Sequence, residues 1–199
     1  MNGSGFLAAP PLTGEAQCMF DEDIADSGHV MNTSRLWAHR PDLFARLFEL
    51  LREAGAAAGL GLRERGVLIA SCASAAGDSY CALAWGSRLA EASDADTAAA
   101  VLRGADVGLT ARERALAGWV RKVVGGPHGT AGEDVQELRD DGWDDPQIFA
   151  ITVFAALRLA FSTVNGALGA RPDAAFRATA PPAVLDAVTF GRPIEDETG

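Results

Sequence analysis

Asp78-Ser79-Tyr80-Cys81-Ala82-Leu83-Ala84-Trp85 is the stretch on which the reading of this chain turns. Gly77 and Asp78 interrupt an apolar run, and Asp78 is a good N-cap for a helix continuing through Leu89, which puts Cys81 at its third position, one turn in. Free N–H groups and the helix dipole at such a position lower a thiol pKa, whereas a carboxylate one turn away opposes a second negative charge. Residues three and four apart share a helix face, so Asp78, Cys81 and Trp85 project the same way. The ordinary alternative is that Cys81 is a small buried hydrophobe beside Leu83 and Ala84. Asp78 likewise reads first as a cap and second as a general base.

Outward from that helix, the chain reads as helical nearly throughout. Pro41 suits the first turn of a helix carrying Leu43, Phe44, Leu47, Leu50, Leu51 and Ala54 at three and four spacing. Helices follow at about 63 to 76, 78 to 91 and 94 to 103. Thr110 with Glu113, and Thr130 with Glu133, read as capping boxes opening helices of about 111 to 124 and 131 to 141. Pro146 opens a long helix to about Leu168, with Gly169 closing it. Its apolar stretch, Ile148 to Val164, is interrupted by Arg158 and falls short of a membrane span, so it reads as a central helix buried nearly all round. No stretch alternates like a strand, so the fold class is all-α. Residues 1–30 lack sustained periodicity and read as an extended N-terminal arm; residues 31–199 form a single helical domain with an acidic tail. Arg63-Glu64-Arg65 and Arg112-Glu113-Arg114 each stand at a helix start, which is consistent with a duplicated helical unit.

Composition narrows the function. A net charge of −10 works against binding a phosphate backbone or adsorbing on anionic lipid, so neither nucleic acid nor membrane is an expected partner. Three cysteines at irregular spacing do not make a disulfide framework, and a reducing cytoplasm fits them best. His29, His39 and His128 are isolated, with no second His or Cys at ligand spacing, so no metal is expected. Gly125-Gly126-Pro127-His128-Gly129 lacks the Lys of a phosphate loop, and Gly59-Leu60-Gly61 follows a helix instead of a strand. No nucleotide cofactor is therefore expected.

The Cys81 helix and its surroundings resemble the carboxymuconolactone decarboxylase and alkylhydroperoxidase D-like superfamily. That family's motif is a Glu, a C-x-x-C pair at a helix start, and a His four residues after the second Cys. Registered on Cys81, the first Cys falls on Asp78, the His on Trp85 and the Glu on Gly66, so one chemical position of four is kept. The rest of the resemblance lies in Arg63-Glu64-Arg65, Leu109 to Arg114, Asp134 to Arg139 leading to Gly142, and Asn165 to Gly169. The resemblance implies an AhpD-like helical bundle, a homo-oligomer, and a thiol oxidoreductase reduced to one cysteine. In it Cys81 would be the peroxidatic nucleophile and Asp78 its orienter, with an external thiol as reductant. Trp85, in the His position, reads as core packing or as the floor of a substrate pocket, and the Tyr80 hydroxyl as a donor to the substrate or as a group reaching the surface. Two other readings belong to the same resemblance: a decarboxylase-like lyase acting on a small organic acid, and a catalytically silent small-molecule-binding protein.

Overall fold

A computed structural model describes residues 5–196 of the chain. Eleven α-helices follow one another: α1 Gly14–Ser27, α2 Asn32–Trp37, α3 Pro41–Ala57, α4 Leu62–Ala76, α5 Ser79–Ala92, α6 Ala95–Leu102, α7 Ala111–Gly125, α8 Gly132–Asp140, α9 Asp145–Ala167, α10 Phe176–Thr179 and α11 Pro182–Ala187. Among the described residues there is no strand.

The centre of the bundle is α4, where every residue from Gly66 to Ala73 is buried. Its side chains are short enough for neighbours to approach on all sides; a Cβ on Gly66 would lie 3.1 Å from Leu89. One face of α4, with Leu68, Ile69 and Cys72, packs with Leu116 and Val120 of α7, Ile151 and Phe154 of α9, and Trp143. The other face, with Val67, Ala70 and Ala73, packs with Leu83 and Leu89 of α5, Val101 of α6 and Val184 of α11. The helix thus joins two apolar layers into one core.

Three sequence expectations are corrected. The long helix α9 is not buried all round. Ile148, Ile151, Ala155, Arg158, Ser162 and Asn165 form its buried stripe, while Phe149 is 72% exposed and Ala156, Ala160 and Thr163 are exposed on the opposite side. The main packing partners of α9 are α3, α4, α7 and α8. By length and composition α9 is also long enough to cross a membrane, although here it packs as a core helix. Second, the expected arm is helical over Gly14–Ser27, capped by Thr13, whose hydroxyl accepts the Ala16 amide at 3.2 Å. Ala16, Met19 and Asp23 face inward at helical spacing, a pattern too sparse for periodicity to reveal. Residues 1–4 of that arm, and 197–199 of the acidic tail, lie outside the described residues. Third, α8 is capped one residue later than Thr130 and Glu133 suggest. Asp134 reaches back to the Ala131 amide at 2.9 Å, while the Thr130 hydroxyl donates to the Pro127 carbonyl.

The repeated Arg-Glu-Arg triplets meet. Arg63 donates to Glu113 at 2.6 Å and Arg112 donates to Glu64 at 3.3 Å, so each triplet's glutamate takes the other's arginine. Each glutamate also caps its own helix, Glu64 accepting the Gly61 amide and Glu113 the Thr110 amide. This reciprocal crossing of α4 and α7 is what two related helical units packed face to face would produce.

Candidate functional site

The first turn of α5 forms as its sequence requires. Asp78 is the N-cap, and its Oδ1 accepts the Cys81 amide at 3.1 Å, which fixes the carboxylate beside the thiol. The remaining oxygen, Oδ2, is buried without a hydrogen-bond partner, and the carboxylate acts on the Cys81 thiol. Cys81 itself is 3% exposed.

From the other side, Arg158 of α9 reaches the sulfur. Its Nη2 donates to Cys81 Sγ at 3.1 Å, and Ser162, one turn further along α9, lies beside the same sulfur. Arg158 is 4% exposed, forms no ion pair with a carboxylate among the described residues, and its Nε has no partner. Aromatic faces supply the rest of its surroundings, with its guanidinium carbon 5.2 Å from the Phe161 ring centre and 5.9 Å from that of Trp85. A buried guanidinium without a carboxylate is costly, and a sulfur able to become an anion is the group placed to answer it.

Burial pushes the Cys81 thiol well above the ordinary value. Arg158 and Ser162 pull it down, and Asp78 adds to the rise. Burial likewise pushes Cys72 up to about 11. Arg158 and Asp78 act on Cys72 as well, but its S–H is turned to the Ala155 carbonyl, 3.9 Å from the sulfur.

Asp78, Cys81 and Trp85 are therefore brought together as their spacing predicts, with half-buried Trp85 closing one side of Arg158. Tyr80 is not brought with them. One residue from Cys81, it turns to another side of α5, donates its hydroxyl to Asp173 and meets Phe176 edge-on. Burial first and Asp173 second keep its phenol protonated. Asp173, whose carboxyl burial raises, also accepts the Asn32 amide at 2.8 Å and faces His29 at 3.9 Å. Tyr80 thus fastens α5 to α2 and to the segment after α9. Arg158 and Ser162 are the site residues that sequence reasoning missed. The signal in the sequence is a lone charge inside an apolar helix, Arg158. Among the described residues, no group of three or more His, Cys, Asp or Glu is arranged to hold a metal.

No protein-family model matches the chain, and no curated protein does. Solved structures do. A peroxidase-related protein from Ralstonia eutropha JMP134, described as an alkylhydroperoxidase AhpD core, superposes with a TM-score of 0.74 at 24% identity, over 86% of this chain and 94% of that one. A peroxidase-related protein from Silicibacter sp. TM1040 gives 0.75 at 21% identity, over 88% and 95%. The debrominase Bmp8 gives 0.70 at 18% identity, over 89% and 96%, and its cysteine-to-alanine variant has been solved with 2,3,4-tribromopyrrole. The fold of this chain is accordingly the AhpD-like helical fold.

Proposed function

We propose that this protein is a single-cysteine thiol oxidoreductase that reduces peroxides, with Cys81 as nucleophile, Asp78 as the group that takes and returns its proton, and Arg158 as the cation that holds the thiolate. The observation that carries the reading is the position of the Cys81 sulfur, against a buried guanidinium and beside a carboxylate whose second oxygen has no hydrogen-bond partner.

A thiol so deeply buried loses its proton to solvent with difficulty. Transfer to Asp78 is different, because it moves charge within the site without changing the total, and the new thiolate lies against Arg158. The sulfur attacks the distal oxygen of the peroxide, the O–O bond breaks, and the departing alkoxide takes the proton from Asp78. The products are an alcohol and a sulfenic acid on Cys81. One molecule of an external thiol condenses with that sulfenic acid to give a mixed disulfide and water; a second releases Cys81 as thiol and leaves as the external disulfide. Cys72 has no part in the sequence. An external thiol pool is consistent with a reducing cytoplasm.

The test is mass spectrometry of peroxide-treated protein with a sulfenate trap. Trapping at Cys81, and peroxide turnover that needs added small thiol and disappears in Cys81→Ser, is the expected result; an unmodified Cys81 removes the reading. The likeness to a debrominase favours one second reading, in which the same thiol acts on a brominated aromatic heterocycle. Two external thiols would then replace bromine by hydrogen and leave as disulfide and HBr. Bromide release from 2,3,4-tribromopyrrole, lost in Cys81→Ser, distinguishes it.

A further inference from the structure

Cys81 is closed off at its own surface, so a molecule must reach it through a neighbouring wall. Three surface hollows can be compared. One is lined by Ser79 and Leu83 together with the chain after α11. Positions 79 and 83 lie about 200° around α5 from Cys81, so that hollow backs onto the opposite side of the helix. A second is lined by Ser74, Ala75 and Arg103, at the end of α4. The third, a groove of about 450 Å³ between α1 and α3, has Met19, Phe44 and Phe48 as its apolar floor.

The third floor leads to the thiol site by a chain of aromatic contacts. Phe44 and Phe48 lie 4.4 Å apart, Phe48 meets Phe161 edge-on at 5.3 Å, and Phe161 lies 5.2 Å from the Arg158 guanidinium, which donates to Cys81. Two side chains, Phe161 and Arg158, thus separate the groove floor from the sulfur. Both phenylalanines of the floor are only partly buried, and aromatic rings in such positions turn without disturbing the backbone. The rim carries Glu15, Glu22 and Asp42 against Arg52, and Arg40 already pairs with Asp42 and holds its carboxyl down to about 2. That balance repels anions and leaves apolar contact as the source of binding.

We infer that the groove between α1 and α3 is the binding site and entrance for a neutral apolar molecule on its way to Cys81, with Phe44 and Phe48 as its inner wall. The inference rests on the nucleophilic reading of Cys81 for its purpose, but not for the binding itself. The groove would exclude small organic acids, which sets it against a lyase acting on them.

Cys18 is exposed and lines the groove, so it offers a plug. Binding of 2-phenylpropan-2-ol, an unreactive neutral alcohol, to the Cys81→Ser protein is followed by saturation-transfer NMR, with benzoate as the anionic control. Capping Cys18 with a bulky maleimide should abolish the alcohol signal, the same treatment of a Cys18→Ser, Cys81→Ser protein should leave it, and benzoate should give none. In the protein with Cys81 intact, the cap should slow oxidation of Cys81 by cumene hydroperoxide roughly tenfold or more, the usual weight of a lost apolar pocket contact, while hydrogen peroxide is little affected. No binding of the alcohol, binding that survives the cap, or equal binding of benzoate overturns the groove. Binding that the cap abolishes, with Cys81 inert to both peroxides, keeps the groove as a ligand site and overturns the peroxidase reading instead.

Discussion

Arg158 decides what Cys81 is. Without a cation against the sulfur, burial and Asp78, which both favour the protonated form, are opposed by Ser162 alone. Arg158→Gln is therefore expected to raise the thiol pKa further and slow alkylation of Cys81 by a small reagent by about tenfold, the equivalent of one pKa unit or 1.36 kcal/mol. Arg158→Lys should recover part of the rate, because it restores charge without the planar fork. The pH dependence of alkylation, read by peptide mass spectrometry, checks both. Asp78→Asn should act in the opposite direction on the pKa, lowering it by removing a neighbouring negative charge. Asn caps a helix as well as Asp, so thermal stability should hold while peroxide turnover falls for want of a proton acceptor. A pair of variants that both leave the thiol titration unmoved would refute the assignment of either neighbour. The division between what the sequence discloses and what it hides is plain at this scale. Asp78 and Cys81 are three residues apart and their relation is local, so capping chemistry exposes it. Arg158 is brought to the sulfur only by the packing of α9 on the core, and no spacing rule connects positions so far apart.

The crossing of α4 and α7 is held by the exchanged glutamates, and Glu113 is the more deeply buried of them. Burial alone would raise its carboxyl, but Arg63 and the Thr110 cap together hold it below the ordinary value of 4.5. A carboxyl lowered in the folded state contributes stability that is present above its unfolded pKa and is lost as the pH falls through the folded one. Stability should thus decline in acid, from near pH 4.5 downward, partly through this group. Glu113→Gln should cost on the order of 1–3 kcal/mol at neutral pH, by leaving Arg63 without its charged partner, and should flatten that part of the acid decline. Urea titrations at two pH values measure both effects. Helix boundaries at α3 to α7 and α9 are legible in the sequence because caps, prolines and glycines mark them. The misplacement at α8 has a simple cause: Thr130 and Glu133 match the box pattern, but Ala131 and Asp134 perform it, with Asp134 also tied to Lys122. The start of α1 is fainter still, since three inward residues in fourteen leave little periodicity to detect.

For the molecule as a whole, the unpartnered side of α9 is the feature with the widest reach. Phe149, Ala156, Ala160 and Thr163 are exposed along it, with partly buried Val153 at its edge against the core. A second copy of the chain is the partner we expect there. Phe149→Asp should therefore shift the protein toward monomer in sedimentation at micromolar concentration while leaving its circular dichroism unchanged; a wild-type protein already monomeric would refute the expectation. The two ends of the described chain also converge. The Phe6 amide donates to the Leu168 carbonyl, Arg192 donates to Gly166, and the Arg192 guanidinium lies 4.8 Å from the Phe6 ring, all at the last turn of α9. The Asn32 amide and side chain likewise hold to Asp173, Arg171 and Glu195. During synthesis the segment around Phe6 and Asn32 precedes its docking partners by well over a hundred residues, so it waits unfastened until the end of α9 and the segment after it have been made.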